Sequence, residues 1–513
     1  MSLSKKIRKL LVNPKLFYTD SSVFKLINFV KVTYRQPRIE YNKTEDALSD
    51  DIVFIICNAI SNNANGVTAF IYNHLPRRIC FLKENTIHVI RVVVDILFDN
   101  DVKVSILYKG RFCTVRSRFR AIVLLTKKTF NTIRLEDRLG RESFFELEGW
   151  TIEGLSIRST DKNLISTKID LKHARDMKLF DLNSINLLNQ VLCYPHEDEV
   201  SFDIDVVYTW VNSQDEKWMK QYNEYKRKIS QNDSTSLARF ENRNELKYSL
   251  RSIDLYAPWV RKIYIVSNCA PPDWLRFSDR IAWVYHEELF DSEVLPLFNS
   301  HAIETKLHKI KGLSKFFLYF NDDFFLTKPV RKNDFFDSNG LSKINFERWG
   351  NVNGEPDIAK PDYLNAAING QRWLESKFGV SVTQFHCHSP YPLRTDLLSE
   401  LENECKEHFV KTGSTRFRGI TDISAVSFLY HHYAYLVQKG YKVHSNSLLI
   451  QSRQNYVATF ERLLGAKEEA NLHERVVSIC INDGYNSHLD RDWNHSVISF
   501  LKSYFIKKSK FEN

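Results

Sequence analysis

The second half of the chain carries two alternating apolar patterns. Short continuous runs, DIDVVYTWV from Asp203, RKIYIVS from Arg261, RIAWVYH from Arg280 and KFFLYF from Lys315, read as strands buried on both faces. Between them RNELKYSLRSIDLYAPWV spaces its apolar residues as a helix does and stops before Pro258, and SHAIETKLHKIKGL reads as another helix. Strands interleaved with helices predict an α/β domain with a largely parallel, Rossmann-like sheet. The first half differs. IHVIRVVVDILF, VKVSILYKG, FRAIVLLTK and RESFFELEGWTIEGLSIRS are β-branched and aromatic runs broken by turns, which predicts a mostly antiparallel β domain. The expected organisation is a basic amphipathic segment and linker over 1–50, a β-rich accessory domain over 51–170, a tether over 171–200 and the α/β domain over 201–513.

Ligands of such sheets sit beyond the carboxyl ends of the strands, so polar residues that directly follow a strand carry weight. The first strand exits into Asn212, Ser213, Gln214 and Asp215, the second into Asn268, and KFFLYF into Asn321, Asp322 and Asp323. RVVSICINDG repeats the pattern with Asn482 and Asp483. Paired carboxylates beside an amide suit a hard divalent cation such as Mg²⁺ or Mn²⁺, which takes oxygen ligands and shares substrate phosphates; the bland alternative is a helix cap or turn. In QFHCHSPYPLR, His386 and His388 form either a weak two-ligand metal pair or a lone catalytic His388. Arg416 and Arg418 in RFRG suit phosphate, because a guanidinium makes two charge-assisted hydrogen bonds, or else form a solvated basic turn. His431 and His432 lie in an aromatic helix and read as packing residues.

Composition narrows this only a little. At 513 residues the chain exceeds one ordinary core. Its 72 basic and 62 acidic residues give +10, compatible with nucleic acid, anionic lipid or phosphorylated substrates. The basic residues are spread along the chain rather than clustered with stacking aromatics, so nucleic acid is not expected as a partner. Eight scattered cysteines without a C-x-x-C pair predict reduced thiols and a cytoplasmic protein. No apolar run approaches about 18 residues, and no signal-peptide core is present. The segment from Met1 to Arg38, which begins MSLSKKIRKLLVNPKLFYTD, is either a helix lying on an anionic membrane surface or an ordinary solvated one. With the basic tail LKSYFIKKSKF it suggests peripheral docking on the inner face of a bacterial inner membrane.

The order of the motifs is itself informative. DIDVVYTWVN, then NELKYSLRSIDLYAPWVRKIYIVSN with LPLFNSHAIETKLHKIKGLSKFFLYFNDDFFL, then HCHSPYPLR with FRGITDI, and finally ICINDG resemble the conserved regions of the Stealth family. That family includes bacterial capsular polysaccharide phosphotransferases and the catalytic subunit of the animal lysosomal-enzyme N-acetylglucosamine-1-phosphotransferase. VSNCAPPDWL, VYHEE, ERWGNVNGEPD and CINDGYNSHL especially resemble the meningococcal serogroup A type. The resemblance covers the chain from about Asp203 onward and leaves the β-rich first half uncovered. It implies transfer of a hexose 1-phosphate from a UDP-sugar to a hydroxyl of a capsule oligosaccharide, with release of UMP and with other capsule assembly and export proteins as partners. It implies catalytic roles for Asp323, His388 and Arg418, and metal or diphosphate contacts at Asp205, Asn321, Asp322, Asn482 and Asp483. Asn212 and Arg251 join the nucleotide-binding set on the same basis. Lys247 stands where many members of the family carry Arg, which keeps the charge but loses the fork, and no direct role is expected of it. Either Asp323 or His388 could be the general base. The competing readings are a metal-dependent glycosyltransferase that releases UDP and a non-catalytic carbohydrate-binding protein.

Overall fold

The computed structural model describes residues 56, 69–72, 77–100, 102–128, 130–136, 142–154, 156–159, 167–170, 198–227, 240, 242–468, 476–483 and 487–513. The basic segment and linker over 1–50, and the tether up to residue 197, lie outside them. The chain divides into two compact units, Met1–His196 and Glu197–Asn513. Among the described residues no helix is long and apolar enough to cross a membrane.

The first unit holds a mixed sheet in which Arg77–Leu82 pairs parallel with Glu142–Glu153, flanked by antiparallel neighbours. Two expected strands are helices. IHVIRVVVDILF forms the helix Thr86–Asp99, and FRAIVLL lies in Arg118–Leu125. Seven apolar residues of the first are buried, between Val89 and Leu97, so its β-branched run fills one side of a core rather than alternating across a sheet. A buried carboxylate, Glu148, is held by Arg78 at 3.1 Å within that sheet.

The second unit is built on five strands: β1 (Ile204–Thr209), β2 (Ile263–Val266), β3 (Ile281–Val284), β4 (Phe316–Asn321) and β6 (Tyr391–Arg394). They are ordered β3-β2-β1-β4-β6. The first four are parallel and β6 is antiparallel to β4. Helix α1 (Glu245–Tyr256) follows β1, as its spacing predicted. SHAIETKLHKIKGL is not one helix: it is helical over Ser300–Glu304 and turns as a 3₁₀ segment over Leu307–Lys309. Ion pairs from Lys306 and Lys309 to Glu402, and the His308 bond to the same carboxylate, hold that departure. Phe317, Leu318, Tyr319 and Phe320 are wholly buried, as expected of a strand covered on both faces.

Beside this sheet runs a second, of three strands: β5 (Phe324–Leu326), β7 (Ser447–Gln451) and β8 (Ser478–Asn482), with β8 in the middle. Phe324 pairs with Cys480 across the antiparallel β5–β8 ladder, and the Ile481 amide donates to the Asp323 carbonyl at 3.0 Å. This pairing brings residues about 160 positions apart to one edge. After β8 the chain enters α2 (Arg491–Tyr504), whose first turn is capped by Asp490.

Candidate active site

In the order β3-β2-β1-β4 the chain reverses its direction of travel between β1 and β4, and the carboxyl ends of those two strands open the crevice in which ligands bind. Asn321 closes β4 opposite Thr209 at the end of β1. Asp322 and Asp323 occupy the turn between β4 and β5, half-buried at this switch point. Asp323 Oδ2 accepts from Cys480 Sγ at 3.3 Å and from Asn482 Nδ2 at 3.4 Å, while Oδ1 is shielded from solvent without a partner. Burial pushes the Asp323 carboxyl up to about 7 against those two bonds. Asp322 is raised well above its ordinary range by burial, then by Glu245 and Asp323. Two acids with clashing charges and one orphaned oxygen fit a cation as well as they fit a shared proton.

The four residues expected to hold a metal divide into two pairs. Asp483 is gripped by Arg243, whose Nη1 and Nη2 donate to its two oxygens at 2.8 and 2.9 Å. Ser487 and the Trp493 indole also donate to it, at 2.8 and 3.0 Å. Arg243 further donates to Glu245 at 2.9 Å and to Asn494 at 2.7 Å. Asn482 turns its amide nitrogen toward Asp323 and accepts at its oxygen from Gln451. Among the described residues no group of three or more His, Cys, Asp and Glu side chains is arranged to hold a metal. The donors that remain are Asp322 and Asp323, a set that suits a cation completing its shell with substrate phosphates.

His388 follows the short strand Gln384–His386 and is half-buried. Its Nδ1 lies 3.9 Å from Glu347 Oε1, and burial holds the imidazole below its ordinary pKa. Arg418 sits in a loop organised by Asn299 and Asp422. Asn299 donates to Asp422 at 2.8 Å and to Thr415 at 2.9 Å, and Asp422 accepts from the Gly419 amide at 3.0 Å. Arg418 donates to Ser300 Oγ at 2.6 Å, and its Nε is buried without a hydrogen-bond partner. Burial lowers its pKa, while Glu304, Asp362 and Asp422 oppose that shift. Glu304 is itself pushed up to about 7 by burial, with Arg418 pulling the other way. The Tyr391 hydroxyl is raised by burial and then by Glu304, Cys480, Asp323 and Cys387.

Several expected site residues do other work. Asp205 stands at the amino end of β1, opposite the crevice, wholly buried. It accepts from Arg261 Nε at 2.8 Å and from the Ser314 amide at 2.7 Å, tying β1 to the starts of β2 and β4. Arg251 is bonded through Nε and Nη2 to Glu512 at 2.7 Å each and to the Phe505 carbonyl, so it fastens the C-terminal segment to α1. Asn212 does leave β1 at the crevice, where its Oδ1 accepts from the Gln214 amide at 3.0 Å and from Asn242 at 3.2 Å. His386 uses both ring nitrogens, one accepting from the Asn345 amide at 3.2 Å and one bonded to the Cys387 carbonyl at 2.8 Å; the two-histidine metal pair does not form. Arg416 donates to the Glu293 and Leu295 carbonyls and is structural. Reading the sequence missed Glu245, Arg243, Glu304, Asn299 and Asp422, none of which follows a strand.

Three Stealth conserved regions match the chain: region 1 over residues 202–230, region 2 over 239–344 and region 3 over 387–435. Asn212, Asp322 and Asp323, and His388 and Arg418 fall in the three in turn, and Asn482 and Asp483 lie outside these spans. The chain is 43% identical over 351 residues to the capsular polysaccharide phosphotransferase SacB of Neisseria meningitidis serogroup A, covering 68% of this chain and 64% of that protein. It therefore spans less than two thirds of that relative's length. It is 38% identical over 318 residues to an exopolysaccharide phosphotransferase of Streptomyces coelicolor, covering 61% and 53% of the two chains. With the exopolysaccharide phosphotransferase CpsY of Mycobacterium tuberculosis it shares 33% identity over 377 residues, 72% of this chain and 69% of that one. A galactosyltransferase solved with donor and acceptor sugar analogues aligns over 59% of this chain and 95% of that one, at 8% identity and a TM-score of 0.30, too low to carry an argument. On these three regions and these identities, the chain belongs to the Stealth family.

Proposed function

We propose that this protein is a capsular polysaccharide phosphotransferase, moving a hexose 1-phosphate or N-acetylhexosamine 1-phosphate from a UDP-sugar to a hydroxyl of a growing capsule chain. The observation that carries this reading is the Asp322–Asp323 pair at the switch point, with one Asp323 oxygen orphaned. The activities for which the meningococcal, streptomycete and mycobacterial relatives are named support it.

Asp322 and Asp323 are the residues that would hold Mg²⁺ or Mn²⁺, which supplies neutralisation of the charge on the donor diphosphate. Arg418 donates to the non-bridging oxygens of the transferred phosphoryl group, where its unpartnered Nε gains an acceptor. His388, neutral at working pH because burial lowers its pKa, accepts the proton of the acceptor hydroxyl. With Nδ1 turned toward Glu347, Nε2 is the nitrogen left for that proton. The hydroxyl oxygen forms a bond to the phosphorus that bears the sugar, the bond from that phosphorus to the bridging oxygen breaks, and UMP leaves with the electron pair. Such displacements need positioning and charge stabilisation more than covalent help. Asp323, poised near 7, is the other group able to take the proton.

Peripheral contact of residues 1–38 with an anionic membrane belongs to the same proposal, and membrane association unchanged by their deletion would remove it. The reaction is tested by incubating the full chain with a panel of nucleotide sugars and primed oligosaccharides and reading the product by ³¹P NMR. A phosphodiester resonance is expected. A product with no phosphorus in the new linkage would overturn the reading.

A further inference from the structure

Arg243, the partner of Asp483 and Glu245, also lines a cleft of about 430 Å³ that the reaction scheme leaves unused. Carboxamides dominate its wall: Gln214, Asn242, Asn244 and Asn494, with Ile498, Lys502 and the edge of Tyr248 completing it. No carboxylate among the described residues lines it. Arg243 also lines it, but its guanidinium is spent on Asp483, Glu245 and Asn494, so it adds little charge to the opening. Lys502 is exposed and pairs with no described acidic group. Asn244 sits at the start of α1 in a left-handed conformation, φ 66°, held by its amide bond to Asn242 Oδ1 at 2.9 Å, with its own side chain exposed.

The geometry points to this cleft as the site for the acceptor chain, a hydroxyl-rich saccharide carrying isolated phosphodiester charges; this inference rests on the proposed function. Carboxamides can both donate to and accept from sugar hydroxyls and acetamido groups. One uncompensated ammonium matches one phosphodiester. A nucleoside diphosphate fits poorly. It brings at least two adjacent negative charges to a cleft whose described wall offers one ammonium, and its base needs a ring face for stacking. Tyr248 offers none: it is 7% exposed, and Arg251 covers its ring at 5.0 Å. Arg243 in its wall binds Asp483 and Glu245, whose charges act on Asp322, so the cleft lies on the side of the aspartates that an acceptor hydroxyl must reach.

The test measures KM separately for the elongated oligosaccharide and for the nucleotide sugar, using the full chain, Lys502→Glu and Ile498→Trp. Acceptor KM is expected to rise about tenfold or more in both, the loss that goes with one charge-assisted hydrogen bond or a blocked site, while donor KM stays within about twofold. Urea midpoints equal to wild type exclude misfolding as the cause. Where a midpoint falls, Lys502→Gln is measured in its place, with the same direction expected. A raised donor KM with unchanged acceptor KM overturns the assignment and marks a nucleotide site, and no change in either overturns it as well. Failure of the proposed function reads differently, as UDP in the wild-type assay whatever the cleft variants do.

Discussion

Replacing Arg243 by Met removes a cation shared by Glu245 and Asp483 while keeping most of the side-chain volume. The Arg243 side chain is 4% exposed, Glu245 6% and Asp483 17%, so solvent cannot take over its role. Its three contacts to the two acids, at 2.8, 2.9 and 2.9 Å, all vanish together. Leaving a buried partner unpaired costs about 3–5 kcal/mol. The cost depends on pH in a defined direction. Burial already holds Glu245 above its ordinary range although Arg243 pulls it down, so losing Arg243 raises it further. An acid whose folded pKa is raised costs nothing below its unfolded value, near about 4, and its full amount above the folded one. Arg243→Met should therefore be mildly destabilising at pH 4.5 and lose about 3–5 kcal/mol at pH 8. Urea unfolding followed by tryptophan fluorescence reads this directly, because of the nine tryptophans only Trp150 precedes residue 197. Adding Glu245→Gln and Asp483→Asn should restore most of the loss. A loss below about 1 kcal/mol at pH 8, or one equal at both pH values, would refute the claim that Asp483 serves the fold through Arg243.

Asp323→Asn should stabilise the divalent-free protein above pH 7 and leave it unchanged near pH 4, since a carboxyl raised to about 7 is costly only once ionised. The full shift would be worth about 4 kcal/mol, and the solvent-facing edge of the residue reduces the expected gain to about 1–3 kcal/mol in urea midpoints at the two pH values. His388→Ala should lose about 10²–10⁴ in kcat and abolish the acid limb of the rate profile, which lies below pH 6.5 because burial lowers the wild-type imidazole; a retained limb would move the base to Asp323. Mn²⁺ binding, followed by electron paramagnetic resonance, should be lost in Asp322→Asn and Asp323→Asn and kept in Asp483→Asn. Loss only in the last would return Asp483 to the metal set.

The parallel sheet was legible because strands buried on both faces are written as unbroken apolar runs, and their polar exits mark the carboxyl edge. That logic found Asn212, Asp322, Asp323 and Asn482. Asp205 was expected at the site from the family resemblance, and it stands at the amino end of β1 instead, away from the carboxyl edge that the polar exits mark. Arg251 misled for another reason: its partner Glu512 lies 261 residues away, and charge at a distance leaves no local pattern. The same holds for Arg243 and Asp483, separated by 240 residues, and for Asn299 and Asp422, separated by 123. In the first unit, β-branched residues at Val92, Val93 and Val94 outweighed the length of the run as a signal, and tertiary packing made it a helix. The motif order supplied His388 and Arg418, which spacing alone left level with bland alternatives.

On the proposed function, bond-breaking occurs at the donor phosphorus, beside Asp323, and not at the sugar carbon. The most direct measurement is the identity of the nucleotide released when the full chain elongates a primed oligosaccharide with a UDP-sugar, resolved by anion-exchange chromatography. UMP is expected, formed one for one with new phosphodiester and suppressed in Asp323→Asn. Accumulation of UDP, still lost in Asp323→Asn, would contradict it.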